Sequence, residues 1–508
     1  MKNQTKYWKI IIICLLWIFH PALNANNIAL SDITISGQDV EKHTCLIGFN
    51  ISWENSWRND LAGLGYQEPY NYDAAWVFVK FRVNGGPWQH VYFDTTGHIP
   101  SPGSIIETGL VDPEQPYNDT SNQVAGVFIY RDSNGSGLFS LSDVKIRWNY
   151  GAGGVNDNDI VDLRVFAIEH VSIPQGSFYL GTGGNEPSAF YTYPEVTAPF
   201  EVNDEEEITV GQESGNLYYN VSYQGGDQAG PIPATFPKGF KAFYCMKYEI
   251  SQQQYVDFLN TLTQSQATRR KYSVSGYRYA ITGNVVGQYS TSRPYVACGN
   301  LNWADIAAYF DWSGLRPLTE LEYEKTCRGT MPPVPDEFAW GTDTVTIGTY
   351  TLSDNGGIAE NISSNFNPSV GNAAYDLTTP INGPVNGPLR IGIFAGNPMN
   401  TGRITAGATY YGVMEMSGNL LEHFVSAGHP TGRGFTALHG DGILNSNGYA
   451  NVTNWPGSNS VGAGFRGSYW SYTGPYMRVS DRYGAAGIDS VRYPTDGGRG
   501  GRTAQSND

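Results

Sequence analysis

Five cysteines and eight histidines are the side chains best suited to hold a soft or borderline metal, and their spacing gives little support to such a centre. Cys14 lies inside an apolar N-terminal run. Cys45, Cys245, Cys298 and Cys327 are far apart, and none stands in a C-x-x-C or other ligand spacing. Buried thiols, or one structural bridge, fit that pattern better than a redox pair. His20, His43, His90, His98, His170, His423, His429 and His439 form no pair or trio at helical spacing.

The densest run of chemically capable residues is GFRGSYWSYTGPYMRVSDRYGAAG, Gly464 to Gly487. It carries Arg466, Arg478, Asp481 and Arg482, interleaved with Tyr469, Trp470, Tyr472, Tyr476 and Tyr483. A guanidinium fork can grip a carboxylate or backbone carbonyls. In loop-rich chain the same Arg and Asp residues can instead satisfy buried backbone groups. Aromatic faces stack on sugars or peptide side chains, and a tyrosine adds a hydroxyl. Tyr472 and Tyr476 are the candidates for surface recognition, and Trp470 for the core. No local motif argues for Ser/His/Asp or paired-carboxylate catalysis.

What must position these residues is a glycine- and tyrosine-rich chain of 508 residues, with Gly 61, Tyr 34, Trp 12 and only 15% charged residues. That profile suits a loop-rich extracellular protein better than a helical cytosolic enzyme. The formal net charge of −16 repels phosphate backbones, which argues against nucleic-acid partners. It is compatible with bound cations such as Ca²⁺. At the N-terminus, Lys2, Lys6 and Lys9 precede an apolar run from Ile10 to Phe19 and a small-residue site ending at Ala25. Residues 1–25 therefore read as a secretory signal peptide. No second run of that length follows, so the expectation is an exported chain without a transmembrane span, periplasmic or at the cell surface.

Residues 26–165 read as an all-β, sandwich-like domain of about seven strands. CLIGFNISW alternates Ile47, Phe49, Ile51 and Trp53; AAWVFVKFRV alternates Val77, Val79, Phe81 and Val83. The Asn156–Asp159 run, NDND, reads as a turn. DIVDLRVFAIEHVSI can carry the last strand into the next domain, 166–508. There Ser251 caps a helix whose apolar residues are Tyr255, Phe258, Leu259 and Leu262. A second helix follows in LNWADIAAYFDWSG, stopped by Gly314. A third has Thr319 and Glu322 as a capping box. Beyond Gly329 helical periodicity almost disappears, and so much irregular chain needs a reason.

Five segments resemble, in order, the formylglycine-generating enzyme (sulfatase-modifying factor) family: IPQGSFYLG from Ile173, YEISQQQYVDFL from Tyr248, GLRPLTELEYEKTCRG from Gly314, YGVMEMSGNLLEH from Tyr411, and GFRGSYW…RVSDR from Gly464 to Arg482. The closing GGRGGRTA is similar to a weakened form of the family's terminal motif. The resemblance covers residues of about 170 to 505 and implies an α+β, C-type-lectin-like fold: a small twisted antiparallel sheet, two flanking helices and long ordered loops.

The resemblance also implies a site. The family's oxidases hold copper(I) on two cysteines beyond the Gly-Gly-Ser-Trp segment. The matching positions here are Tyr472 and Met477, or Ser471 and Tyr476 in the other register, and no cysteine follows Cys327. Neither copper nor the non-haem iron of the family's ergothioneine-synthase-type branch is expected. Family members carry structural calcium near SGNLLEH, which implies Asn419 and Glu422 as ligands, with the Leu420 carbonyl beside them. Arg466, Arg478, Asp481 and Arg482 fall in the segment that frames the family's cleft. The resulting expectation is a catalytically silent member that binds a peptide, protein or glycan ligand, or serves in envelope assembly. Tyr472, Tyr476, Arg478, Asp481 and Arg482 are its candidate ligand-binding residues. The alternatives are a working oxidase and a retroelement-diversified ligand-binding protein.

Overall fold

Eight strands build the N-terminal part among the described residues: β1 (Ala29–Asp39), β2 (Thr44–Asn59), β3 (Asn71–Val83), β4 (Gln89–His90), β5 (Ser104–Leu110), β6 (Val124–Arg131), β7 (Gly135–Asn149) and β8 (Val161–Ile173). The computed structural model describes residues 28–59, 71–115, 122–347, 350–376 and 385–505. The export signal expected over residues 1–25 lies outside them. No described helix is long and apolar enough to cross a membrane.

β2 runs antiparallel between β1 and β7, with Ile47 opposite Ile35 on one side and Ile146 on the other. β3 runs between β6 and β8, and joins β2 only at its end, where Tyr72 faces Arg58. The two strand groups share one core. Ile47, Phe49, Ile51 and Trp53, each at most 1% exposed, pack with Val77, Val79, Phe81 and Trp148. Period-two alternation puts all of them on inner faces.

β3 departs from the half-buried strand that its alternation suggests. Its other face is buried too: Ala74, Trp76 and Phe78 pack into the C-terminal core, and Lys80 is buried beside them. Trp76 donates from Nε1 to the Ser313 carbonyl at 2.8 Å. A β-carbon at Gly109 or Gly126 would stand 2.5 Å from its ring, so both glycines are the space the indole occupies.

β8 links the two halves. Val171 pairs with Asp73 of β3 on one side and with Cys245, in strand Phe243–Met246, on the other. The sheet continues through Gly500–Thr503 to Arg316–Pro317 and comprises 11 strands. The expected boundary at 165/166 thus falls inside a strand that both halves use. Across the same seam, Lys247 Nζ lies 3.2 Å from Asp73 and 3.0 Å from Glu169, all three buried.

The helices lie where their caps stand in the sequence. α1 (Gln252–Leu259) starts at Ser251, whose hydroxyl accepts from Gln254 N while the Gln254 side chain caps in return. α2 (Gln264–Arg270) has the same reciprocal box at Thr263 and was not expected from periodicity. α3 (Trp303–Ser313) is capped by Asn302 and ends at Gly314, in the left-handed conformation at φ 72°. α4 (Glu320–Arg328) begins at Thr319, with Glu322 closing the box. After α4 the described chain is mostly loops around short strands, in keeping with an overall fold that is mostly β with few helices.

Candidate ligand-binding cleft

The floor of the candidate site is a three-stranded sheet. Strand Leu421–Val425 pairs antiparallel with Ala463–Arg466, with Glu422 opposite Arg466, and parallel with Asp496–Gly497, with Leu421 opposite Asp496. Alternation on these strands sends Glu422 into the protein and leaves Leu421 and Asp496 lining a cleft of about 350 Å³.

α4 anchors this sheet from below with charge. Its carboxylates Glu320 and Glu324 and its guanidinium Arg328 are buried. Arg466 donates to Glu324 at 2.7 Å and to the carbonyls of Asp481 and Val479 at 3.1 Å each. Arg482 grips Glu320 with two bonds, 2.7 and 3.0 Å, donates to the Ser188 carbonyl, and lies 3.8 Å from the Phe190 ring centroid. Arg328 pairs with Glu337 and Glu324. Burial pushes the Glu324 carboxyl up, and Arg466 and Arg328 more than reverse that, leaving it below its ordinary value. Three cations and three anions therefore fix the loop from 478 to 483 against the sheet.

On that support stands a ladder of tyrosines. Tyr469 stacks on Tyr472 at 5.1 Å between centroids, Tyr472 meets Tyr476 at 4.5 Å, and Tyr476 meets Tyr483 edge-on at 5.5 Å. Tyr223 then stacks on Tyr483 at 4.5 Å and 8°. All five rings line the cleft. Two buried carboxyls line the cleft with them. Burial raises Asp481 to about 7, against an opposing bond from the Tyr483 amide and the nearby Arg466. Burial raises Asp496 to about 8, against an opposing bond from Thr495 Oγ at 2.8 Å.

Of the residues singled out in the sequence, Arg466, Tyr469, Tyr472, Tyr476, Asp481 and Tyr483 line this cleft, and Tyr472, Tyr476 and Asp481 are the candidate ligand-binding residues among them. Arg482 does not line it, since Glu320 and Ser188 hold it in the interior. Arg478 is also outside the lining, paired with Asp336 at 3.1 Å. Trp470 is buried in a neighbouring apolar cluster. Tyr223, Asp489, Tyr493 and Asp496 also line it and escaped sequence reasoning. Tyr223 arrives from far upstream because Gln224 N donates to the Tyr483 carbonyl and Ala486 N to that of Gln224. Asp496 could have been found by its place beside the closing GGRGGRTA motif.

A copper(I) centre does not fit the donors present. The lining offers phenols, a serine and carboxylates but no sulfur. Met477 packs against Phe338 and Trp340. Cys45, Cys245, Cys298 and Cys327 are free, buried thiols, and burial pushes Cys45 up to about 11 and Cys245 up to about 12. At the expected calcium position the side-chain oxygens are engaged inside the protein. Asn419 Oδ1 accepts from Leu389 N at 2.7 Å, and its amide donates to Glu249. The Leu420 amide also donates to Glu249, and Glu422 gives both oxygens to Arg499. In this arrangement a guanidinium, not a cation bound by free oxygens, neutralises Glu422.

A mostly β chain whose helices and long loops surround a short-stranded floor beneath an aromatic cleft matches one family model, the sulfatase-modifying factor enzyme 1-like domain, over residues 164–472. That span is more than half of the chain, and the protein belongs to this family. The match starts within β8 and stops at Tyr472, so Tyr476, Asp481 and Asp496 lie beyond it. No curated protein matches the chain.

Proposed function

We propose that this protein is a catalytically silent member of its family that binds a peptide, protein or glycan ligand in the tyrosine-lined cleft. One observation supports the reading: six tyrosines and three aspartates line a cleft that includes Tyr472 and Tyr476, positions that the resemblance, in one register or the other, matches to the family's cysteine pair. Rigid aromatic faces offer a large contact area at low entropic cost, and the ion-paired support beneath them pre-organises the surface. The basic head and apolar run at the N-terminus favour export, to the periplasm or the cell surface, where a silent copy can serve in envelope assembly. The N-terminal β part, continuous with the core sheet, would then hold the cleft rigidly with respect to its own faces.

Peptide and glycan arrays probed with the wild type and with a Tyr472→Ala/Tyr476→Ala double variant test the site. Ligands retained by the wild type and lost by the variant support it. Equal retention by both proteins removes these residues from the site.

A further inference from the structure

A second cavity, of about 430 Å³, opens where β3 and β4 meet α2, α3 and the loop at Gly442. We infer that Lys80, in its wall, is an amine nucleophile that captures a small aldehyde there as an imine, with His90 as its proton relay. This stands apart from the reading of the tyrosine cleft.

Buried ammonium groups are ordinarily met by carboxylates. Lys247 follows that rule, between Asp73 and Glu169. Lys80, just as buried, forms no ion pair with a carboxylate among the described residues. Its Nζ meets two neutral acceptors instead, His90 Nδ1 at 2.9 Å and the Gly442 carbonyl at 2.8 Å. A carbonyl can only accept, so His90 Nε2, 2.7 Å from the Ala125 carbonyl, carries the ring proton. Nδ1 is then free to accept from Lys80. Two N–H bonds of a neutral amine are thereby used, and its lone pair is left over. The fit is close: a β-carbon at Gly442, where φ is 84°, would stand 2.2 Å from the His90 ring.

The surrounding groups act in both directions. Asp311 of α3 and Asp441 favour a charged Lys80, and the Trp312 and Phe78 rings lie 5.2 and 6.0 Å from its Nζ. Burial outweighs the carboxylates and lowers Lys80 to about 7. Burial also raises Asp311 to about 8 and keeps the Tyr92 phenol protonated. His90 is held neutral by burial, then by Lys80, with Arg502 adding to them and the Ala125 carbonyl opposing. At pH 7 about half of Lys80 is free amine, against about one part in 2,500 for an ordinary lysine. Desolvation of this kind is what turns a lysine into a carbonyl-capturing nucleophile.

The guest's chemistry follows from the rest of the wall. Lys80 is accompanied there by Phe81, Trp88, Trp312 and Leu444, and no carboxylate or guanidinium joins the lining among the described residues. A neutral aldehyde with a flat, apolar body fits such a wall. The Lys80 lone pair attacks the carbonyl carbon, and the carbonyl π pair moves to oxygen. One Nζ proton passes through His90 Nδ1 to that oxygen, giving the carbinolamine. The hydroxyl then leaves with a second proton as water, and a C=N bond to Nζ remains. Nothing is oxidised or reduced.

The test equilibrates the full chain with benzaldehyde at pH 7, quenches with borohydride to convert each imine to a stable amine, and maps benzylated lysines by peptide mass spectrometry. Lys80 should carry at least about tenfold more label than any other lysine, a part of its advantage in free amine. Its yield should level off above about pH 7, while yields at other lysines keep rising toward about pH 10. In guanidinium chloride the preference should vanish. His90→Gln, once shown to keep the melting temperature, should slow Lys80 imine formation at least about tenfold, as loss of a positioned proton acceptor does. An unslowed variant would overturn the relay. The nucleophile is judged on the wild type alone. Label at Lys80 no greater than at exposed lysines, or a preference that survives in guanidinium, would overturn the inference.

Discussion

Arg499 holds both carboxylate oxygens of Glu422, Nε to Oε2 at 2.7 Å and Nη2 to Oε1 at 2.8 Å, with both residues essentially inaccessible to water. Glu249 and Glu415 lie in the same buried field. Burial, then the Glu422 charge, pushes the Glu249 carboxyl well up, while Glu415 is raised to about 8, chiefly by burial. One guanidinium therefore steadies a cluster of three glutamates, a task that a calcium ion could otherwise perform.

The first prediction concerns that substitution of roles. If Arg499 rather than an ion neutralises Glu422, a chelator should leave the melting temperature unchanged, and a lowered one would favour bound calcium. Arg499→Gln should destabilise by about 3–5 kcal/mol, since it strands Glu422 in the interior. Denaturant unfolding of both proteins, with and without added calcium, measures this. Calcium restoring stability to Arg499→Gln would show that the glutamates can recruit the ion once the guanidinium is gone.

A second prediction addresses the seam between the halves. Lys247 is the single ammonium between Asp73 and Glu169. Lys247→Met should cost about 3–5 kcal/mol, as two carboxylates lose a buried partner. Asp73 would keep its bonds from Trp53, Ser56 and the Trp57 amide, so most of the loss should be traceable to Glu169. Adding Glu169→Gln to the variant should therefore recover part of it. A non-additive pair is expected, and simple additivity would contradict the shared contact.

The third prediction concerns Trp76. Its ring sits between Gly109 and Gly126, and the Arg502 guanidinium lies over it at 4.2 Å. Gly126→Ala should force indole or backbone to move and cost about 1–3 kcal/mol, as overpacking does. Trp76→Ala should cost about 3–5 kcal/mol. Because β8 belongs to both halves, the wild type should show one unfolding transition. Separate transitions detected by calorimetry would contradict the shared sheet.

A fourth prediction follows from the raised carboxyls of the cleft. Asp481 and Asp496 keep their protons in the folded state to about pH 7 and 8, whereas an unfolded carboxyl loses its proton near 4. Between those limits the folded form binds more protons, so these groups stabilise it at low pH and their contribution is lost as pH rises toward 8. Lys80 and Lys325, each lowered by burial to about 7, act in the opposite sense above that pH. The comparison should therefore be with Asp481→Asn/Asp496→Asn. The wild type should lose stability relative to the variant as pH rises from about 4 to about 8, and the difference should level off above that. A difference independent of pH would contradict the burial argument.

Much of this architecture can be read from local chemistry. Ser251, Thr319 and Gly314 mark helix ends because caps act within one turn. The alternation of Ile47, Phe49, Ile51 and Trp53 marks an inner face because side chains on a strand alternate strictly. The second buried face of β3 is harder to see, since Trp76, Phe78 and Lys80 gain their partners from α3 and from loops more than 200 residues away. The same limit applies at the cleft. Tyr472, Tyr476 and Asp481 are close in sequence, while Tyr223 reaches the ladder only through two backbone hydrogen bonds to the loop after Asp481. The roles of Arg478 and Arg482 depend on Asp336 and Glu320, distant residues to which nothing in the local sequence points.

The most direct test of a silent, ligand-binding cleft is mass spectrometry of a cysteine-containing peptide incubated with the copper(I)-loaded full chain in air. The account predicts a peptide recovered with its thiol, apart from ordinary disulfide formation. An aldehyde at the cysteine position, produced in proportion to enzyme and copper, would contradict it.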